Sequence, residues 1–253
     1  MDLRAQEQRQ DRHGRLFFYL DQENTDKAYD FNRGFWGERN VKHIDEEHAE
    51  NIIAAQDGAY ETKGDIIEFL LDTFAGEIDS GAFSLFELGA ANGTLLDALA
   101  DIRPGLDFHY FGFEFLPMLV EDFARKYPGK RIVEGDAELF VAKDPSFFGA
   151  EKFSLYFASI TMMMLKPEIA RQVLAKAAQL TDRFLLYDYL DVETLEYSAD
   201  RNMVIYYPSA AEIWFIHPWE RLMDEVGFKI LEKRPMPSES VRDGMGMLYA
   251  VRR

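Results

Sequence analysis

The chain has 253 residues, 47% of them hydrophobic, and a formal net charge of −17. This length suffices for one large domain, or for one domain with an added cap. Because the charge excess is acidic, the surface repels phosphate backbones, and we expect no nucleic-acid partner. Cysteine is absent, which excludes disulfides and thiolate metal sites, and no metal is expected.

The first fifteen residues, MDLRAQEQRQDRHGR, are polar and charged and lack the apolar core of a signal peptide. The longest apolar stretch, FSLYFASITMMML, is too short to span a bilayer and contains hydroxyl groups. These features predict a cytoplasmic protein without a membrane partner.

Residues 1–80 are predicted to form a helical N-terminal cap segment. Within it, GDIIEFLLDTFAGEI carries apolar residues at helical spacing, HIDEEHAENIIAAQ has a similar pattern, and strand-like runs are missing. Residues 81–253 form the second predicted domain, in which the pattern changes.

From residue 83 onward, short apolar runs alternate with amphipathic helical segments, which predicts a parallel sheet with helices on both faces. One helix repeats apolar residues at Leu119, Phe123 and Tyr127. Two final strands, FKILEKR and GMLYAVRR, are joined by a short polar loop and are therefore expected to pair antiparallel. The first five predicted strands are 83–88, 107–113, 130–135, 153–158 and 183–188.

The stretch LFELGAANGTLL, residues 85–96, lies where the first of these strands turns into a helix. Ligands of open parallel sheets bind outside the carboxyl ends of the strands, and glycine there lets the backbone approach a ligand. Gly89 and Gly93 do not match the G-x-G-x-x-G spacing of dinucleotide sites. Glu87 is a poor neighbour for a pyrophosphate but suits a ligand with an amino group and a positive charge. An NAD-binding dehydrogenase is therefore the less favoured alternative.

The segment Glu87–Gly93 resembles the first motif of the class I S-adenosylmethionine-dependent methyltransferases, with Ala91 at the usual middle glycine. Three later segments, YFGFEFLPMLVEDFARKYP, RIVEGDAELF and FSLYFASITMMMLKP, are similar to further motifs of that family, in the family's order. The resemblance covers about residues 80–253. It implies an α/β, Rossmann-like sheet of seven strands, mostly parallel with an antiparallel last strand, and S-adenosyl-L-methionine as cofactor.

The resemblance also implies roles for the residues that match the motifs. Glu114 would accept hydrogen bonds from the ribose diol, and Phe115 would pack near the adenine. Asp136 would accept from the adenine amino group, although a helix N-cap is the structural alternative for this residue. Ala158 and Ser159 would lie beside the methionine part. The implied cofactor-binding residues are Glu87, Gly89, Ala90, Asn92, Gly93, Glu114, Phe115, Asp136, Ala137, Ala158 and Ser159.

The acceptor side carries fewer signals, because in-line methyl transfer depends mainly on positioning and requires no signature base. His217, in IWFIHPWERL, is the candidate general base, and a structural role before the last helix is the alternative. The run of methionines after the fourth strand lines an apolar pocket or belongs to the core. The pocket candidates are Tyr60, Met162, Met163, Tyr207 and Trp214.

The predicted function is therefore S-adenosylmethionine-dependent methylation of a small-molecule acceptor at oxygen or nitrogen. A protein methyltransferase and a non-catalytic S-adenosylmethionine-binding partner subunit are the alternatives. The N-terminal segment is interpreted as a lid, as a homodimer contact, or as both, and the residues leave these alternatives open.

Overall fold

The computed structural model describes residues 7–10, 16–41, 64–149, 152–190, 202–207, 212–235 and 244–253. Among the residues so described, no helix combines the length and the apolar character needed to cross a membrane. The strands are β1 Glu7–Gln10, β2 Leu16–Leu20, β3 Ser84–Leu88, β4 His109–Glu114, β5 Arg131–Glu134, β6 Leu155–Ser159, β7 Arg183–Tyr189, β8 Asn202–Tyr207, β9 Glu212–Ile216, β10 Phe228–Pro235 and β11 Met245–Arg252.

Helices precede or connect most of these strands. Short 3₁₀ helices cover Pro145–Phe148 and Met162–Met164. The α-helices are α1 Gln22–Val41, α2 Gly64–Thr73, α3 Ala75–Asp79, α4 Thr94–Ile102, α5 Pro117–Lys126, α6 Ala137–Ala142, α7 Pro167–Leu180 and α8 Trp219–Glu225. The predicted helical content of the N-terminal segment is confirmed in α1, α2 and α3, whereas HIDEEHAENIIAAQ lies outside the described residues.

A seven-stranded sheet has the order β10-β11-β7-β6-β3-β4-β5. Strand β3 pairs parallel with both β4 and β6, and β4 pairs parallel with β5. Strand β11 pairs antiparallel with β10. The predicted mostly parallel sheet with an antiparallel last strand is thereby confirmed.

The chain divides into two compact units. One consists of Gly37–Ala158 and Gln179–Arg183, and it contains β3, β4, β5 and most of β6. The other consists of Met1–Trp36, Ser159–Ala178 and Phe184–Arg253. The predicted domain boundary between residues 80 and 81 stays a prediction.

An aromatic cluster fills the core of the first unit. The fully buried ring of Phe86, on β3, lies 5.2 Å from the Phe140 ring and 5.5 Å from those of Phe111 and Phe148, measured between ring centroids. Such pairs add about 0.5–1.5 kcal/mol each beyond their area burial. This packing makes β3 a rigid support for the turn that follows it.

The second unit contains a four-stranded antiparallel sheet of order β1-β2-β8-β9. The prediction that residues before 83 contain no strand is wrong here, because β1 and β2 precede that position. Helix α1 is tied to this sheet by Asn32, whose side-chain nitrogen donates to the carbonyl oxygen of Ile213 at 2.6 Å. Asn202 donates in turn to the Thr25 hydroxyl at 3.0 Å.

Candidate cofactor and acceptor site

The turn after β3 uses a left-handed backbone at three of five positions. Gly89 has φ 77°, Ala91 has φ 48° and Gly93 has φ 91°. The amides of Gly89 and Ala90 donate to the Phe113 carbonyl oxygen at 2.8 and 3.2 Å, which fixes the turn against β4. The left-handed conformation costs an alanine roughly 1–2 kcal/mol, whereas glycine adopts it without this penalty. The backbone at Ala91 is therefore strained.

Gly93 also lies where a side chain would not fit. A Cβ atom at this position would lie 2.6 Å from Cε2 of Tyr127. The Tyr127 ring packs beside Phe123 at 5.4 Å, and its hydroxyl donates to Asp97, so the ring cannot easily move away. Helix α4 therefore begins directly after a residue that the packing requires to be glycine.

Replacing Gly93 with alanine is expected to lower the free energy of unfolding by about 2–4 kcal/mol, since left-handed strain adds to overlap with Tyr127. Urea denaturation measures this loss. Gly105→Ala is the matched control, because Gly105 also has a positive φ, of 80°, but has open space around its Cα. Equal losses in both variants would contradict the role of Tyr127.

Glu87, the acid before the glycine turn, is buried, with 1% of its surface exposed. Its Oε2 accepts a hydrogen bond from the Tyr110 hydroxyl at 2.6 Å. The sequence analysis did not identify Tyr110, although a tyrosine inside an otherwise apolar strand needs a partner for its hydroxyl when it is buried. Tyr110 thus orients the carboxylate that the resemblance assigns to cofactor binding.

Glu114 links the end of β4 to the glycine turn. Its Oε2 accepts from the Ala91 amide at 2.8 Å, and its Oε1 accepts from the Leu116 amide at 2.9 Å. Burial raises the pKa of Glu114, and these backbone amides oppose that shift. A carboxylate oxygen has two lone pairs, so each oxygen retains the capacity to accept from a ribose hydroxyl. The next residue, Phe115, is 36% exposed and presents an aromatic surface beside this carboxylate.

A second polar pair supports the turn from the side of α5. Asn92 donates through Nδ2 to Oδ2 of Asp122 at 2.9 Å, and both residues are buried. Arg125 forms an ion pair with the same carboxylate. In the sequence, Asp122 occupies a position typical of the exposed face of an amphipathic helix. It was therefore not predicted as a site residue.

Asp136 is the N-cap of α6, since its Oδ1 accepts from the Leu139 amide at 2.8 Å. The structural alternative considered for this residue is thus realised by one carboxylate oxygen. Ala137 is the buried first residue of the helix. The adenine contacts of Asp136 and Ala137 stay predictions.

The predicted acceptor residues differ in where they lie. Tyr60 is outside the described residues, and Tyr207 is the last residue of β8. The side chains of Met162, Met163 and Trp214 are buried, with 0%, 0% and 3% of their surface exposed. In this structure they pack in the interior, and their contact with an acceptor stays a prediction.

His217 is completely buried between β9 and α8. Its Nε2 donates to the Met162 carbonyl oxygen at 2.8 Å, so its Nδ1 carries the lone pair. Among the residues that the structure describes, Nδ1 has no hydrogen-bond partner. Burial lowers the pKa of His217 to about 4, so the ring is neutral at physiological pH.

Asp188, near the end of β7, was not identified from the sequence. It is buried, its Oδ1 accepts from the Tyr189 amide at 2.7 Å, and its Oδ2 accepts from the Met163 amide at 3.0 Å. Burial raises the pKa of Asp188 to about 8. Asp188 and His217 therefore both bind the buried backbone at Met162 and Met163.

Comparison with known proteins gives structural matches only. No protein-family model matches the chain, and no curated protein matches it in sequence. The chain is similar to magnesium protoporphyrin IX methyltransferase (ChlM) from Synechocystis PCC 6803, at 13% identity and a TM-score of 0.51, over 92% of this chain and 98% of that one.

Two further structures agree with this likeness. CalS10, an amino pentose methyltransferase from Micromonospora echinaspora, matches at 14% identity and a TM-score of 0.55, over 85% of this chain and 100% of that one. An S-adenosylmethionine-dependent methyltransferase from Clostridium acetobutylicum matches at 9% identity and a TM-score of 0.54, over 80% and 98%. At these identities the likeness establishes the fold, and it confirms the predicted fold class.

Proposed function

We propose, from the fold that it shares with S-adenosylmethionine-dependent methyltransferases, that this chain is an enzyme that binds S-adenosyl-L-methionine and transfers its methyl group. The observation that carries the proposal is Glu114, which joins the carboxyl end of β4 to the glycine turn after β3. That edge is where open parallel sheets bind their ligands. A buried acid with free lone pairs beside an exposed aromatic ring fits a nucleoside.

Each residue near the turn has a defined task in this proposal. Glu114 accepts the ribose hydroxyls, Phe115 packs against the adenine, and Asp136 with the Ala137 amide recognises its polar edge. Gly89, Ala90, Asn92 and Gly93 let the backbone approach the ligand, and Glu87 supplies a negative charge for its amino group. The bound cofactor supplies an electrophilic methyl group.

The chain's contribution to rate is mainly positional. Well-oriented reactants reach effective molarities on the order of 10⁵ M or more, so precise placement of an acceptor accounts for most of the acceleration. A general base adds about 10²–10⁴-fold for a hydroxyl acceptor and is less needed for a neutral amine.

We propose a small-molecule acceptor, methylated at oxygen or nitrogen. The proposal is supported by two structural neighbours whose substrates are small molecules, a magnesium porphyrin and an amino pentose. The acidic balance of the chain, with 45 acidic and 28 basic residues, opposes a nucleic-acid acceptor. We also propose a cytoplasmic location for the protein.

Calorimetric titration with S-adenosylmethionine, S-adenosylhomocysteine and NAD tests the cofactor assignment. We expect dissociation constants in the micromolar range for the first two and no heat of binding for NAD, because the turn lacks the dinucleotide spacing. Binding of NAD alone, or of none of the three, would overturn the proposal. Binding of the first two justifies an acceptor screen that detects a mass gain of one methyl group.

A further inference from the structure

The peptide group between Met162 and Met163 is held on both of its polar atoms by buried ionisable side chains. Its carbonyl oxygen accepts from Nε2 of His217 at 2.8 Å, and its N–H donates to Oδ2 of Asp188 at 3.0 Å. Asp188 has 1% of its surface exposed and His217 has 0%. One peptide group is therefore fixed in position and orientation from two separate elements of the same unit.

This peptide follows a strained backbone position. Ile160 has φ 60°, a left-handed conformation that is a genuine outlier for a β-branched residue. Its amide donates to the Tyr187 carbonyl oxygen at 2.8 Å. A strained backbone conformation persists only where surrounding contacts hold it in place, and such residues are frequent at functional sites. Hydrogen bonds with Tyr187, Asp188 and His217 hold this segment in place.

The location of this arrangement points to a ligand. Ile160 directly follows Ser159, the last residue of β6, and Asp188 is the penultimate residue of β7. Carboxyl ends of parallel strands are where such sheets bind ligands. Stability alone does not explain the choice of residues, because burying ionisable groups carries a desolvation cost that an apolar pair would avoid.

We propose that Asp188 and His217 are positioning residues that fix the Met162–Met163 peptide and, through it, the backbone of residues 159–161 at the ligand-binding edge. This inference rests on the proposed function. It gives His217 a role as hydrogen-bond donor to the backbone, which differs from the role of general base considered from the sequence. The two roles use different nitrogen atoms, Nε2 for the donor and Nδ1 for the base.

Two substitutions at His217 separate these roles. Glutamine places an amide nitrogen near the position of Nε2, so His217→Gln keeps a donor for the Met162 carbonyl and removes the imidazole. His217→Leu removes both. Asp188→Asn keeps the shape but turns an NH₂ group toward one of two backbone donors. Leu185→Ala, in the core of the same strand β7, is the matched control for general loss of stability.

The experiment measures S-adenosylhomocysteine affinity by calorimetry and amide hydrogen exchange of residues 160–163 by mass spectrometry. We expect Asp188→Asn and His217→Leu to accelerate exchange in this segment and to weaken binding by about tenfold or more, as loss of one hydrogen bond implies. His217→Gln and Leu185→Ala are expected to stay within about twofold of wild type.

Three results would overturn the inference. Unchanged affinity in Asp188→Asn and His217→Leu would show that the peptide is held for the fold alone. Loss of affinity in His217→Gln equal to that in His217→Leu would show that the imidazole, not the donor, is required. Wild type that fails to bind S-adenosylhomocysteine would overturn the proposed function together with this inference, which distinguishes the two failures.

Discussion

Glu114→Ala is expected to weaken S-adenosylhomocysteine binding by about 10²–10⁴-fold, because two hydrogen bonds from ribose hydroxyls to a charged acceptor are lost. Calorimetric titration measures the change. Asp107→Asn is the matched control, since Asp107 is an exposed acid just before the amino end of the same strand and pairs with Lys130 at 2.6 Å. We expect the control to bind as wild type does.

The structure adds a second expectation for Glu114. Because its carboxylate accepts from the amides of Ala91 and Leu116, its removal leaves two backbone donors without their partner. An unsatisfied buried donor costs about 1–3 kcal/mol, so Glu114→Ala should also lower the thermal midpoint. Binding is therefore measured at a temperature at which the variant remains folded. Wild-type affinity in the folded variant would refute the ribose assignment.

The pH dependence of folding stability is expected to report on Asp188. Burial raises its pKa from 3.8 to about 8, so between these values the native state binds a proton that the unfolded chain has lost. The contribution of Asp188 to the free energy of unfolding is fully present below pH 3.8. It declines by about 1.4 kcal/mol per pH unit as the pH rises toward 8 and is lost above that pH. Urea denaturation of wild type and Asp188→Asn from pH 6.5 to 8 should show this slope in their difference.

His217 contributes with the opposite sign over a lower range. Burial lowers its pKa from 6.5 to about 4, so the unfolded chain binds a proton that the native state excludes. Stability from this group is present above pH 6.5 and is lost as pH falls toward 4. Between pH 4 and 6.5 the opposite pH dependences of Asp188 and His217 cancel in the wild type. In His217→Gln, the stability should therefore fall with rising pH over this range, as Asp188 alone predicts. A pH-independent difference between wild type and Asp188→Asn would show that Asp188 is ionised in the native state.

The strands of the parallel sheet could be predicted because each is a short apolar run bounded by turn residues. The predicted strand 183–188 corresponds to Arg183–Tyr189, and 130–135 corresponds to Arg131–Glu134. The glycine turn could also be predicted, because left-handed backbone positions such as those of Gly89 and Gly93 favour glycine, which is visible in the sequence. These are local signals, and local signals can be identified in a single sequence.

The four-stranded sheet could not be predicted in this way. LFFYL is apolar throughout and lacks the alternation that marks a half-buried strand, and its partner β8 lies far along the chain. Tyr110, Asp122 and Asp188 escaped notice for a related reason. Each is held by a residue that is distant in the sequence, Glu87 for Tyr110, Asn92 for Asp122 and Met163 for Asp188, and a single sequence does not reveal such contacts.

The pairing of β2 with β8 has a consequence for synthesis of the chain. Phe17 lies opposite Ile205, and the nearby bond from Asn32 to Ile213 joins residues 181 positions apart. During translation the apolar strand LFFYL therefore emerges long before β8, and until β8 is synthesised only β1 can pair with it. Closure of this sheet is a late, non-local step, and until it occurs one edge of the apolar strand β2 remains open to association with other chains.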